Sequence, residues 1–159
     1  MTRRRLMTLL CALGLVPKAA DAQVGAAAPK VEQLRLTDAE WKKRLSPDQY
    51  AVLRHAGTER AGTSALNDEH RKGVFRCAGC DLPLFGSETK FDSGTGWPSF
   101  FAPLPGAVVT KTDFKLILPR TEYHCARCEG HQGHVFGDGP KPTGKRYCNN
   151  GVALRFVPA

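Results

Sequence analysis

The chain has 159 residues and a hydrophobic fraction of 42%, which suit one globular domain and leave little room for a second. It contains no low-complexity tract, heptad run or internal repeat, so a long disordered chain, a coiled coil and a solenoid are excluded. The net charge of +8 is not gathered into a dense Lys/Arg stripe. Charge alone therefore does not indicate nucleic-acid binding.

The first 22 residues are typical of an export signal. Arg3, Arg4 and Arg5 precede an apolar run at 6–16, which is too short to span a bilayer, and Ala20-Asp21-Ala22 offers a cleavage site. The tandem arginines suit a twin-arginine or a Sec signal, and a buried N-terminal helix is the alternative. Removal of four basic residues, one acidic residue and Cys11 would leave a charge of +5 and five cysteines. We therefore expect an exported, periplasmic protein without a membrane span once the signal is removed.

Two short helices are predicted after a linker. Residues 23–36 are weakly patterned and are predicted to be this linker, which places the folded domain at 37–159. Capping boxes predict the two helix starts, and they are formed by Thr37 with Glu40 and by Ser46 with Gln49. Pro47 suits the first position of the second helix, and we expect Gly57 to end it.

Beyond residue 72, short β-type runs alternate with Gly- and Pro-rich turns. The predicted strands are Gly73–Arg76, Val108–Lys111, Phe114–Leu118, Thr121–His124 and Tyr147–Val157. This pattern predicts a small antiparallel β domain, with the two helices packed against its outside.

Four cysteines form two C-x-x-C pairs, Cys77 with Cys80 and Cys125 with Cys128. Each pair places two thiolates on one tight turn, and four sulfur ligands suit a tetrahedral zinc ion. With four thiolates the ion has no open position for water, so the metal would be structural and would join distant parts of the chain. Disulfides and a redox-active C-x-x-C pair are the alternatives.

Cys148 is the one thiol left over after the pairs and the signal are set aside. In an extended strand Arg146, Cys148 and Asn150 share a face, and Arg146 there would favour the reactive thiolate. An inert buried cysteine is the alternative. His131 and His134 are flanked by glycines that allow a bend aiming both rings at one site, where they could deliver protons. Ordinary surface histidines are the alternative for that pair.

Trp97 follows a glycine-rich turn. It is interpreted either as the wall of an apolar pocket or as a core residue.

Three blocks resemble the signatures of the B-type peptide-methionine (R)-S-oxide reductases. They are Ser93–Phe100, Gly133–Phe136 with Asp138–Pro140, and Arg146–Asn150. The C-x-x-C pairs also stand where the zinc-bearing members of that family have theirs, and the resemblance covers about residues 37–157. It implies a mainly β domain of two antiparallel sheets, tent- or barrel-like, with short N-terminal helices and one structural Zn²⁺ held by the four cysteines.

The resemblance also implies an enzyme that reduces methionine (R)-sulfoxide in oxidised proteins or peptides, a repair of oxidative damage. Cys148 would be the nucleophile, with His131, His134 and Asn150 as further catalytic residues. The substrate side would be formed by Trp97, Arg146, Asp138 and Phe136. The thiolate would attack the sulfoxide sulfur, a histidine would protonate the oxygen, and Cys148 would become a sulfenic acid.

The sequence departs from many members of that family at one position. Thr95 stands where they carry a resolving cysteine, and Cys148 is the only thiol outside the pairs in the mature chain. We therefore expect the sulfenic acid to be reduced by an outside donor, a thioredoxin-like protein or a small thiol. We also expect the protein to be a monomer.

Two rival functions remain. One is a zinc-ribbon-like module that binds nucleic acid or protein, although the aromatics do not interleave with basic residues as stacking on nucleic acid requires. We accordingly expect no nucleic-acid partner. The other is a secreted thiol-disulfide exchanger that uses a C-x-x-C pair.

Overall fold

The computed structural model describes residues 31–114 and 118–159. The two helices are α1 (Asp38–Arg44) and α2 (Pro47–His55). The strands are β1 (Gly73–Cys77), β2 (Pro83–Gly86), β3 (Lys90–Phe91), β4 (Ser99–Phe100), β5 (Val108–Asp113), β6 (Arg120–Cys125), β7 (His131–Phe136), β8 (Arg146–Asn149) and β9 (Leu154–Pro158). Short 3₁₀ turns cover Ala65–Asp68, Ser87–Thr89 and Gly151–Ala153.

The strands form two antiparallel sheets. Three strands pair in the order β2-β1-β9, and six pair in the order β3-β4-β8-β7-β6-β5. The expected mainly β fold with two antiparallel sheets and two short N-terminal helices is confirmed. The predicted signal at 1–22 lies outside the described residues, as does the centre of the predicted strand Phe114–Leu118 at 115–117.

Both predicted capping boxes are present. Thr37 accepts from the backbone N–H of Glu40, and the Glu40 carboxylate accepts from the Thr37 N–H at 2.7 Å. Ser46 and Gln49 make the same reciprocal pair at the start of α2. The end of α2 differs from the prediction, because Ala56 rather than Gly57 takes the left-handed conformation, with φ at 51°.

The predicted strand Tyr147–Val157 is wrong, because the chain turns in its middle. The 3₁₀ turn Gly151–Ala153 separates β8 in the six-stranded sheet from β9 in the three-stranded sheet. The Glu59 carboxylate stabilises this turn by accepting from the N–H groups of Gly151 at 2.5 Å and Val152 at 2.9 Å. The alternation of polar and apolar residues continues across the turn, and for this reason the sequence predicted a single strand.

The hydrophobic core lies between the two sheets. Phe75 and Phe85 of the three-stranded sheet meet aromatic residues of the six-stranded sheet, and the rings of Phe85 and Phe100 stack at 4.2 Å. Tyr123 and Tyr147 complete the cluster from β6 and β8. Because side chains alternate along a strand, the neighbours of these aromatics point to the opposite face of the six-stranded sheet.

The chain before α1 is attached to the domain. Within the predicted linker at 23–36, the described residues 31–36 form neither helix nor strand. The Leu34 N–H donates to the Arg127 carbonyl at 2.8 Å, and the Gln33 amide donates to the Ala126 carbonyl at 2.6 Å. In the described part of the chain, no helix is both long and apolar enough to cross a membrane.

Candidate active site and metal centre

The two C-x-x-C turns have the same backbone geometry. The N–H of Asp81 donates to the Cys77 carbonyl at 2.8 Å, and the N–H of Glu129 donates to the Cys125 carbonyl at 2.9 Å. Asp81 and Glu129 both take the left-handed conformation, with φ of 63° and 58°. Cys77 ends β1 and Cys125 ends β6, so the paired turns bring the two sheets together.

The four sulfurs form one buried cluster. The Sγ atoms of Cys77 and Cys128 are 3.6 Å apart, and those of Cys80 and Cys125 are 3.4 Å apart. Zinc–sulfur bonds of about 2.3 Å in a tetrahedron place sulfurs about 3.8 Å from each other, whereas a disulfide would need about 2.05 Å. All five described cysteines are unpaired. The distances and the soft donor set therefore fit one structural zinc ion and not two disulfides.

A β-bulge brings the two predicted histidines to one face. His134 pairs with Glu122 across β6 and β7, but two residues further along β6 His124 pairs with His131, leaving Gln132 as the extra residue. Directly paired residues share a face, so the bulge turns His131 to the side of His134. Their ring centroids are 5.6 Å apart. A bulged strand, and not the expected glycine-flanked bend, therefore aligns the pair.

Cys148 lies beside His134 on the polar face of the six-stranded sheet. The two residues are directly paired between β7 and β8, and Ser99 is the partner of Cys148 on the other side. Gly133 permits this arrangement, since a Cβ there would lie 1.9 Å from the Cys148 carbonyl oxygen. Cys148 is half-buried and lines a cavity of about 130 Å³.

Opposing influences act on the Cys148 thiol. Burial raises its pKa above the ordinary value, and this effect is the largest. The charge of Arg146 and hydrogen bonds from Thr95 and Arg146 act in the lowering direction. The expected effect of Arg146 is therefore present, but the effect of burial on the Cys148 pKa is larger.

Each histidine of the pair has a carboxylate partner. His134 Nε2 lies 2.8 Å from Asp113 Oδ2, and the Arg120 guanidinium donates to the same oxygen at 2.7 Å. His131 Nδ1 lies 2.5 Å from Glu122 Oε1. Burial lowers the pKa of His131 to about 4, despite the raising effect of Glu122. His131 is therefore neutral near pH 7.

Arg146 is fixed by two neighbours. Its guanidinium forms a bidentate pair with Asp138 at 2.9 and 2.8 Å, and it lies 4.3 Å above the centre of the Phe136 ring. The pair lowers the pKa of Asp138 and raises that of Arg146. Asp138 itself does not line the cavity, and its contribution is to hold Arg146 near Cys148.

The far wall of the cavity is held by one residue of the loop after α2. The Glu59 carbonyl accepts from the Trp97 indole N–H at 3.2 Å, and the Glu59 N–H donates to Asn150 Oδ1 at 3.0 Å. The Asn150 amide also donates to the Gln132 carbonyl at 3.0 Å, so both of its polar atoms are bonded within the protein.

The structure brings most of the predicted site residues together around the cavity. Its lining consists of Thr58, Trp97, Arg120, Gly133, His134, Phe136, Cys148, Asn149 and Asn150. His131, Arg146 and Asp138 stand behind this lining. Sequence reasoning missed Glu59, Asp113 and Arg120, because each acts through strand register or a distant loop and none stands in a recognisable local motif.

Comparison with known proteins gives consistent matches. Residues 45–158 match the SelR domain family. The chloroplastic peptide methionine sulfoxide reductase B1 of Arabidopsis thaliana is 54% identical over 81% of this chain and 64% of its own length. Peptide methionine sulfoxide reductase MsrB of Agrobacterium fabrum is 53% identical over 82% of this chain and 95% of its own length. The MsrB protein of Thiobacillus denitrificans is 55% identical over 77% of this chain and 93% of its own length.

The chain spans less than two thirds of the chloroplastic relatives, since the one from Oryza sativa is covered over 57% of its length. Among solved structures, the Mis18 "Yippee-like" domain aligns with 56% of this chain and 98% of its own, at a TM-score of 0.44 and 17% identity.

Proposed function

Since the chain belongs to the SelR family, the B-type peptide methionine sulfoxide reductases, we propose that it reduces methionine (R)-sulfoxide to methionine in oxidised proteins and peptides. The observation that carries the proposal is the placement of Cys148. Its thiol, unpaired and half-buried, stands beside His134 in a cavity whose wall includes an indole. Such a cavity suits a short, apolar, oxidised side chain better than a polymer of phosphates.

The proposed reaction is a two-electron exchange between two sulfur atoms. The Cys148 thiolate attacks the sulfoxide sulfur while a proton reaches the sulfoxide oxygen. The net result is that methionine sulfoxide is reduced to methionine, and Cys148 takes up the oxygen equivalent and becomes a sulfenic acid. A thiol then condenses with the sulfenic acid, releasing water, and a second thiol releases Cys148 from the mixed disulfide.

We assign the proton delivery to His134, because it lines the cavity opposite Cys148. Asp113 fixes the orientation of that ring at 2.8 Å. His131 stands behind it, neutral and bonded to Glu122, and supports the position of the bulged strand. Arg146 stabilises the thiolate as the substrate displaces water from the cavity.

Trp97 and Phe136 offer the apolar wall for the methyl group of the substrate. The indole is fixed by its bond to the Glu59 carbonyl, and a fixed wall favours one sulfoxide epimer over the other. Asn150 closes the cavity beside Cys148 and is held by Glu59 and Gln132.

The reductant is proposed to be an external thiol, such as a thioredoxin-like protein. Thr95 stands near Cys148 at the position of a resolving cysteine, and the remaining described cysteines belong to the buried cluster. The zinc-ribbon alternative gains no support, since it leaves the Cys148 cavity without a role. We further propose export through the segment at 1–22 and a monomeric state. Intact mass of the exported protein and analytical ultracentrifugation test these two points.

The decisive experiment measures turnover of the separate R and S sulfoxide epimers by the native protein and by Cys148→Ser. We expect turnover of the R epimer only, and none in the variant. Turnover of the S epimer, or full activity in Cys148→Ser, would overturn the assignment. Thr95→Ser serves as the matched control, since it keeps a hydroxyl beside the thiol and should stay active.

A further inference from the structure

A second group of metal-ligating side chains lies behind the active-site histidines. Glu122, His124 and His131 are all buried, and their ligand atoms lie within 4.8 Å of one another. Glu122 and His124 stand two residues apart on β6, and the bulge places His131 opposite His124. The proposed reductase mechanism gives His124 no task.

One ring nitrogen of His124 has no hydrogen-bond partner among the described residues. Nδ1 lies 3.0 Å from the Glu129 carbonyl oxygen, which can only accept, so Nδ1 carries a proton. Nε2 faces Glu122 Oε1 at 3.1 Å but does not form a hydrogen bond with it. It is one of two buried side-chain N/O atoms without a hydrogen-bond partner in the described residues. A metal ion between this buried ring nitrogen and the carboxylate oxygen would satisfy both groups.

We propose that Glu122, His124 and His131 bind a divalent transition-metal ion such as Zn²⁺, at a site separate from the four cysteines. Two imidazoles and one carboxylate are an established ligand set for zinc, leaving the fourth position to water. Bonds of about 2.0–2.1 Å place tetrahedral ligands about 3.3 Å apart. The 3.1 Å between His124 and Glu122 already fits this spacing, and the 2.5 Å between His131 and Glu122 must open by about 0.8 Å.

The surroundings allow an ion to enter. Lys111 Nζ lies 3.3 Å from Glu122 Oε2 and competes with the metal, but its side chain is 60% exposed and free to turn to solvent. An open cavity of about 320 Å³ beside His124 leads to the surface, lined by Arg54, Val109, Thr110, Lys111, His124 and Glu129.

Occupancy of this site would inhibit the reductase, an inference that rests on the proposed function. The ion takes Nδ1 of His131, so the neutral ring must carry its proton on Nε2 instead. It also takes the Glu122 carboxylate that now orients His131. Both changes alter the support of the neighbouring His134, whose ring lies 5.6 Å away.

The binding test uses untagged protein that holds one zinc ion per chain, titrated calorimetrically with Zn²⁺. We expect a second binding event, weakened at least tenfold in His124→Gln and tightened several-fold in Lys111→Gln. The matched control His70→Gln, at an exposed histidine, should bind as the native protein does. Absence of a second event, or an event unchanged in His124→Gln, would show that this cluster binds no metal. An event lost only in Cys148→Ser would assign it to the catalytic thiol and refute the proposal.

Activity gives an independent readout, measured with thioredoxin because dithiothreitol chelates zinc. The second equivalent of Zn²⁺ should inhibit the native protein and His70→Gln but not His124→Gln, whose metal-free turnover should equal the native value. Equal inhibition of all three proteins would contradict an inhibitory role for the cluster. The calorimetric titration does not depend on catalysis. It would therefore test metal binding at this cluster even if the protein had no reductase activity.

Discussion

Burial and the Arg146 guanidinium have opposite effects on the pKa of Cys148, and this pKa sets the reactivity of the thiol. Burial raises the thiol pKa and Arg146 opposes it, with burial the larger effect. The thiolate fraction at neutral pH is therefore below that of a free cysteine, which slows incidental oxidation of the thiol.

Arg146→Ala should raise the pKa of Cys148 further, because it removes the nearest positive charge. We expect alkylation of Cys148 by iodoacetamide at pH 7 to slow about threefold to tenfold, and the rate-against-pH curve to shift upward. The control Arg155→Ala changes an arginine that pairs with Asp81 away from the site and should leave the curve in place. An unchanged curve in Arg146→Ala would show that the guanidinium does not reach the thiol.

His131 makes folding depend on pH. Its pKa is lowered from 6.5 to about 4 by burial, so the folded state prefers the neutral ring. The stabilisation is present above pH 6.5 and is lost as the pH falls from 6.5 towards 4, to a limit of about 3 kcal/mol. Urea denaturation should show a flatter pH dependence in His131→Gln than in the native protein or His70→Gln. Equal slopes in all three proteins would contradict this account.

At the scale of elements, the loop after α2 connects the wall of the Cys148 cavity to the turn that follows β8. Glu59 bonds to Trp97 and Asn150 through its backbone and to Gly151 and Val152 through its carboxylate. One residue is thus bonded both to the wall of the Cys148 cavity and to the turn at which the chain leaves the six-stranded sheet.

Glu59→Gln should weaken both the turn at Gly151–Ala153 and the adjoining cavity wall, because an amide nitrogen replaces one oxygen that accepts from a backbone N–H. We expect a loss of about 1–3 kcal/mol in the free energy of unfolding and a larger change in KM than in kcat. Chemical denaturation and steady-state kinetics measure the two effects. The control Glu88→Gln, at an exposed carboxylate, should change neither. Native stability in Glu59→Gln would mean that the carboxylate bonds contribute nothing net.

At the scale of the whole molecule, the zinc site joins the two sheets. Cys77 and Cys125 close strands of different sheets, and α1 and α2 cover the turns through Arg44 on the Gly79 carbonyl and Arg54 on the Cys128 carbonyl. The metal therefore acts as a cross-link between distant parts of the chain.

Removal of zinc should lower the melting temperature by about 10 °C or more, since several kcal/mol of metal binding contribute to folding. Calorimetry before and after chelation, with zinc content verified, measures the effect. At 25 °C, the turnover rate of the protein that remains folded should change little, although the melting temperature falls. An unchanged melting temperature in verified zinc-free protein would exclude the cross-link.

Sequence motifs that are complete within a few residues predicted much of this fold. Features that depend on contacts with distant residues were not predicted. The capping boxes of α1 and α2 and the C-x-x-C turns are complete within four residues, so the sequence alone determines them. The break at Gly151–Ala153 depends on Glu59, far away in the chain, and alternation could not reveal it. The bulge at Gln132 depends on pairing with β6, which is why the histidine pair looked like a bend.

The extra residue in β7 restricts how relatives of this chain can vary in length. Deleting Gln132 would restore regular pairing and keep His131 and His134 on one face, two residues apart, whereas an insertion would displace His131 from His124 or His134 from Cys148. The stretch from Cys128 to His134 should therefore not lengthen in functional members, whereas the loop between β7 and β8 is free to do so. Insertions in an alignment should avoid the first stretch and gather in the second.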